Sequence, residues 1–117
     1  MADGKIVGLD IGTSEIRVAI GEVDPETGNV QIAGTASRKS AGLRNGVIVN
    51  IEDAKNAIKE AIDAAEQREV VFLRYYNDMS FKEIAEHLGI SINTALGRMR
   101  YAILNIRKMA HQKSILF

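Results

Sequence analysis

Hydrophobic and polar positions follow two different periods along this chain, and the period changes once. Ile6–Asp10 and Ile16–Ile20 are β-rich runs, and in the second Ile16, Val18 and Ile20 alternate with Arg17 and Ala19, as in a half-buried strand. The tight segment Ile11-Gly12-Thr13-Ser14-Glu15 joins them. A second turn at Asp24-Pro25-Glu26-Thr27-Gly28-Asn29, where the only proline presets φ, leads to a third strand at Val30–Gly34. The pattern predicts an antiparallel meander of three strands. A polar connection from Ser37 to Gly46 and a short apolar run, Val47-Ile48-Val49, follow. From Ile51 the period becomes helical: Ile51, Ala54, Ile58, Ala61, Ile62 and Ala65 fall on one face. Asn50 can cap this helix, with Asp53 three residues on as a weaker form of the capping box.

The helical pattern does not stop there. Arg68–Asn77 continues it, and no Gly, Pro or Ser lies between Asn50 and Ser80. One helix is therefore predicted from about Ile51 to Asn77, broken by Asp78-Met79. Ser80 and Glu83 form an S-x-x-E capping box for a second helix, Phe81–Leu88, burying Ile84, Ala85 and Leu88. Gly89 suits the left-handed position that ends it, and Ser91 caps a third helix from Ile92 to about Lys108 or Met109. The expected fold class is α+β: a three-stranded antiparallel meander plus helix, joined through a continuous helix to a C-terminal helix-turn-helix. The expected division falls at residues 1–66 and 67–117.

Composition sharpens this division. All six aromatics (Phe72, Tyr75, Tyr76, Phe81, Tyr101 and Phe117) lie beyond residue 70, and eight of the ten glycines lie before residue 47. The formal charge of zero hides seven Lys/Arg against eleven Asp/Glu up to Glu66, and eight against four from Gln67 onward. An acidic front and a basic back suggest two pieces with different partners. There is no cysteine, and His87 and His111 are far apart, so neither a disulfide nor a metal centre is expected. No apolar run reaches the ~20 residues needed to span a bilayer, and no secretory pattern follows Met1. No membrane partner is expected, and the expected location is cytoplasmic. The carboxylate pairs Glu52/Asp53 and Glu83/Glu86 suit helix starts or exposed faces, so no catalytic role is expected. Tyr75 and Tyr76 are expected in the core or at a helix crossing, and the aromatics are expected to cover the sheet edge and helix face that the front half leaves open. Ile103, Leu104, Ile106 and the tail Ile115-Leu116-Phe117 would pack internally or form a dimer face; the oligomeric state stays open.

Two stretches carry candidate chemistry. In the first hairpin an aspartate leads into Gly-Thr-Ser, which can surround an anion with backbone N–H groups and hydroxyls, though the same residues also make a good hairpin turn. GLDIGTSEIRVAIGE resembles the first phosphate loop of the actin-like ATPase superfamily, and IAGTASRKSAGLRNGVIVNIEDAKNAIKEAIDAAE resembles the cell-division protein family FtsA. By that resemblance Asp10, Gly12, Thr13 and Ser14 would approach ATP phosphates and Mg²⁺. The unit corresponds to a partial actin-like subdomain without the facing lobe, so nucleotide binding is expected to be very weak and hydrolysis absent.

In the second stretch, a helix, a Gly-containing turn and a capped helix give the helix-turn-helix pattern. The third helix would enter a major groove N-terminus first, exposing Ile92, Asn93, Thr94, Leu96 and Gly97, with Arg98, Arg100, Arg107, Lys108 and Lys82 available to phosphates. REVVFLRYYNDMSFKEIAEHLGISINTALGRMRYAILNIRKM resembles region four of bacterial RNA polymerase sigma factors, which implies upstream promoter recognition and contact with the polymerase. By that resemblance Ser91, Asn93, Thr94 and Arg98 face DNA. Leu96 and Gly97 replace basic and hydroxyl residues common there. Three readings follow: a sigma-type DNA-binding module carrying a catalytically incompetent actin-like fragment; an FtsA-like fragment with residual nucleotide binding; or an artificial or accidental fusion with no evolved function as a whole. Only the second would call for ATP and Mg²⁺; the first needs duplex DNA and no cofactor.

Overall fold

The computed structural model describes residues 4–44, 47–48 and 50–112. Strands β1 (Lys5–Ile11), β2 (Glu15–Val23) and β3 (Val30–Lys39) form an antiparallel sheet in the order β1-β2-β3. Two short strands, β4 (Leu43–Arg44) and β5 (Val47–Ile48), pair with each other, and helices α1 (Ile51–Tyr75), α2 (Phe81–Leu88) and α3 (Ile92–Gln112) follow. This is the α+β class expected from the periods, with the long helix continuous across the composition change. The expectations for Gly46, Val49 and the tail 113–117 lie outside the described residues.

Register explains which face is buried. Val18 of β2 stands opposite Leu9 on one side and Ala36 on the other, and Ile20 stands opposite Val7 and Gly34. Directly paired residues share a face, so Ile16, Val18 and Ile20 point with Gly34 and Ala36 toward α1. All five are buried, packed against Ala57, Ala61, Ala64 and Ala65. The small residues let helix and sheet approach closely: a Cβ on Gly34 would collide with the Ala65 carbonyl oxygen and lie 3.0 Å from the Glu69 backbone nitrogen. The β2–β3 register shifts beside Ile20/Gly21, leaving Ala33 as an extra residue on β3.

β3 runs to Lys39, five residues beyond the expected end at Gly34. Ile51, expected on the buried face of α1, is 74% exposed, because burial begins one turn later at Ala54. α1 lies over β2 and β3 and leaves β1 largely uncovered, so Val7, Leu9 and Ile11 remain exposed on the face that carries the core. The aromatics among the described residues do not close this gap. Tyr75 and Tyr76 are 71% and 82% exposed at the end of α1, where Tyr76 stacks on Phe72, and Tyr101 is exposed on α3. Phe72 and Phe81 instead pack on a second cluster formed by Val70, Leu73, Ile84, Ala95 and Met99.

Candidate nucleic-acid interface

Local hydrogen bonds set the turn between α2 and α3. Ser80 Oγ accepts from the Glu83 N–H at 3.1 Å, and the Glu83 carboxylate accepts from the Ser80 N–H at 3.0 Å. The Ser80 backbone N–H, and after it the Ser80 hydroxyl, hold the Glu83 carboxyl below the usual carboxylate range. At the other end Gly89 takes φ +68°, and the Ile90 N–H donates to the Ala85 carbonyl at 3.0 Å. Ser91 then starts α3: its Oγ accepts from the Thr94 N–H at 3.0 Å and bonds the Thr94 hydroxyl at 2.9 Å. Ala85 and Ala95, small and buried, flank the crossing, while Ile90 and Leu88 pack on the cluster beneath.

Of the residues expected to face DNA, Lys82, Ser91, Asn93, Thr94 and Arg100 are exposed, as are Arg107 and Lys108. Ser91 and Thr94 hydroxyls are engaged with each other and with the start of α3, which gives them a capping role in this structure. Arg98 stands apart. Its guanidinium meets Glu66 of α1 at 2.8 Å, and both side chains are only about a quarter exposed, 23% and 25%. Arg98 therefore ties α3 to α1, while Asn93, Leu96 and Arg100 face solvent.

Sequence reasoning missed the charged groups where the sheet meets the helices. Lys5 of β1 donates to the fully buried Glu69 of α1 at 3.1 Å, and Glu22 of β2 meets His87 of α2 at 3.0 Å. One oxygen of Glu22 and one of Glu69 are buried without a hydrogen-bond partner. Burial pushes the Glu69 carboxyl above its ordinary range; Lys5 opposes this, and the charges of Glu22 and Glu66 add to it. The partners are more than 60 residues apart, so no local spacing could have revealed them.

The first hairpin offers less. Gly12 donates its N–H to the Glu15 carbonyl at 2.9 Å, and Ser40 bonds the Gly12 carbonyl through its hydroxyl at 2.6 Å, closing a tight turn. Thr13 and Ser14 are exposed at its tip, and neighbouring Arg17 is paired with Glu15 at 2.9 Å. A shallow depression of about 630 Å³ on the sheet is bordered by Asp10 but not by Gly12, Thr13 or Ser14, so the structure does not gather the four into one cavity. Among the described residues, no His, Asp or Glu cluster could hold a metal, and no helix is long and apolar enough to cross a membrane.

Two capped helices meeting at a left-handed glycine, backed by α1, define the C-terminal part as a helix-turn-helix packed beside a small antiparallel sheet. The family model described as Sigma-70, region 4 matches residues 64–99, from the second half of α1 through the first two turns of α3. The chain is also similar to proteins named Cell division protein FtsA. It is 47% identical to that of Pseudomonas aeruginosa over 62 residues, covering 53% of this chain and 15% of the relative. It is 37% identical to that of Streptococcus pneumoniae over 75 residues, covering 64% of this chain and 16% of the relative. With the Borreliella burgdorferi protein the identity is 42% over 66 residues, 56% of this chain and 16% of the relative. The chain thus spans less than a fifth of the curated relatives it matches, and its composition is chimera-like: one stretch similar to FtsA and one matched by sigma region 4.

Proposed function

We propose that the chain is a DNA-binding module of sigma region-four type, in which α2 and α3 dock on a duplex and the FtsA-like sheet is a packing partner for α1. The observation that carries this reading is the α2–Gly89–α3 turn, with its capping box and left-handed glycine, inside the stretch matched by Sigma-70, region 4. Exposed Lys82 on α2 and Arg100, Arg107 and Lys108 further along α3 supply positive charge for phosphate contact. The role is binding rather than catalysis and calls for no nucleotide. Promoter upstream elements, and RNA polymerase as a second partner, extend the same proposal through the sigma resemblance.

The test is fluorescence anisotropy of a labelled duplex titrated with the chain at several salt concentrations. Binding should weaken as salt rises, and each of Lys82→Ala and Arg100→Ala should lower the salt slope by about one. Absence of binding at low salt would retire the proposal.

A further inference from the structure

The exposed chemistry of α3 bears on which base pairs this surface takes, an inference that rests on the DNA-binding reading above. Guanine is read in the major groove chiefly by an Arg or Lys reaching O6 and N7, adenine by Asn or Gln, and thymine by apolar contact with its C5-methyl group. Within the first two turns of α3 the only cation is Arg98, and its guanidinium is committed to Glu66 at 2.8 Å on the side facing α1. What remains exposed in these turns is Asn93 and Leu96 on the outward face, with Ile92 and Thr94 on its two flanks. The Thr94 hydroxyl is engaged with Ser91 at 2.9 Å, which leaves its methyl as the free contact group. Gly97 has no atom within 4 Å of where a Cβ would stand, so nothing there holds a duplex away from the helix backbone.

We infer that α3 selects A·T base pairs through the major groove, with Asn93 on an adenine edge and Ile92, Thr94 and Leu96 against thymine methyls. Solvent-facing Ile92 and Leu96 thereby acquire a partner that an apolar side chain can read. Arg100 lies seven residues beyond Asn93 on the same face, about 10 Å further along the axis, where an N-terminus-first helix meets phosphates rather than bases. Lys82, exposed on α2, supplies a second backbone contact.

The experiment compares three labelled duplexes of equal length at one salt concentration: an A·T core, a G·C core, and the A·T core with uracil in place of thymine. The A·T core should bind roughly tenfold more tightly than the G·C core, and loss of the methyls should weaken it several-fold. Leu96→Ala, a change on an exposed face, should reduce the sensitivity to uracil while keeping the salt dependence, and Leu96→Ala combined with Ile92→Ala should remove most of it. Equal, salt-dependent affinity for all three duplexes would overturn the inference and leave DNA binding intact. A G·C preference abolished by Arg100→Ala would overturn it by making Arg100 a guanine reader. An A·T preference indifferent to uracil would overturn the major-groove methyl contact. Failure to bind any duplex at low salt would instead mark failure of the DNA-binding reading itself.

Discussion

Along α1, the sheet side packs through Ala57, Ala61, Ala64 and Ala65 against three strand aliphatics, whereas the helix-turn-helix side packs through Val70 and Leu73 against Ile84 and Met99. The first interface depends on backbone proximity, as the contact at Gly34 shows. The second depends on side-chain volume and is closed at its rim by Phe72, Phe81 and Leu88. The sheet side also stays open along β1, where Ile6, Val7, Leu9 and Ile11 are exposed, while the helix-turn-helix is stopped by caps at each turn. A core made of small residues and an open edge buries less apolar area per residue than one made of Leu, Ile and Met, and so contributes less. The helix-turn-helix is the better-determined half.

The largest effects test whether the two halves nonetheless unfold as one. Ile84→Ala and Ile20→Ala each remove a fully buried side chain, and each should cost about 2–5 kcal/mol in urea titrations. All three tyrosines lie beyond residue 70, so tyrosine fluorescence reports the helical half while far-ultraviolet circular dichroism reports both. Coincident transitions in the two variants are expected because α1 is common to both clusters. Separate transitions, with Ile20→Ala silent by fluorescence, would show the comparison to be one between independent units.

A smaller loss probes the caps. Ser80→Ala removes one arm of the capping box and should cost about 1 kcal/mol, measured as a shift of the urea midpoint at constant m. The same variant should weaken DNA binding only in proportion to the unfolded fraction.

The smallest effect is read as a slope with pH rather than as a drop. The folded carboxyl of Glu69 is held above its unfolded value, mainly by burial, so its contribution is fully present below the ordinary glutamate range. That contribution is lost as pH rises through the raised folded value, because the unfolded chain then releases a proton that the folded chain retains. Lys5 from β1, Glu22 from β2 and Glu66 from α1 face this group and set the size of the loss. Glu69→Gln, which mimics the neutral acid, should keep stability on the acid side and flatten the decline above it. An unchanged decline in that variant would show that Glu69 is not its source.

What was legible in the sequence divides along the same line. The boundaries of α2, the left-handed Gly89 and the Ser91 start are set by bonds between residues three to five apart, so residue type and spacing announce them. The length of β3 was not legible, because Thr35–Lys39 joins the sheet through polar residues around Ala36, whose burial depends on alanines more than 20 positions away. Ile51 and Tyr76 read as core by type and are exposed because each sits at an end of α1, outside both buried clusters. In the candidate interface, the exposed polar turn of α3 followed from its period. The withdrawal of Arg98 did not, since Glu66 lies in the other compositional half and reaches it only because α1 and α3 pack together.

The unbroken 25 residues of α1 set a phase. Each residue turns a helix by about 100°, so the residues that hold the sheet and those that hold the helix-turn-helix bear a fixed angular relation along one cylinder, offset by nearly half a turn. Inserting one residue near Gln67 would swing one half around the other by that 100°, parting Arg98 from Glu66 and His87 from Glu22 together. Inserting seven, close to two whole turns, would nearly restore the angle and only lengthen the gap. A join between two such stretches can therefore work at only about one junction in three or four, and α1 counts residues between the two halves as a screw thread counts turns.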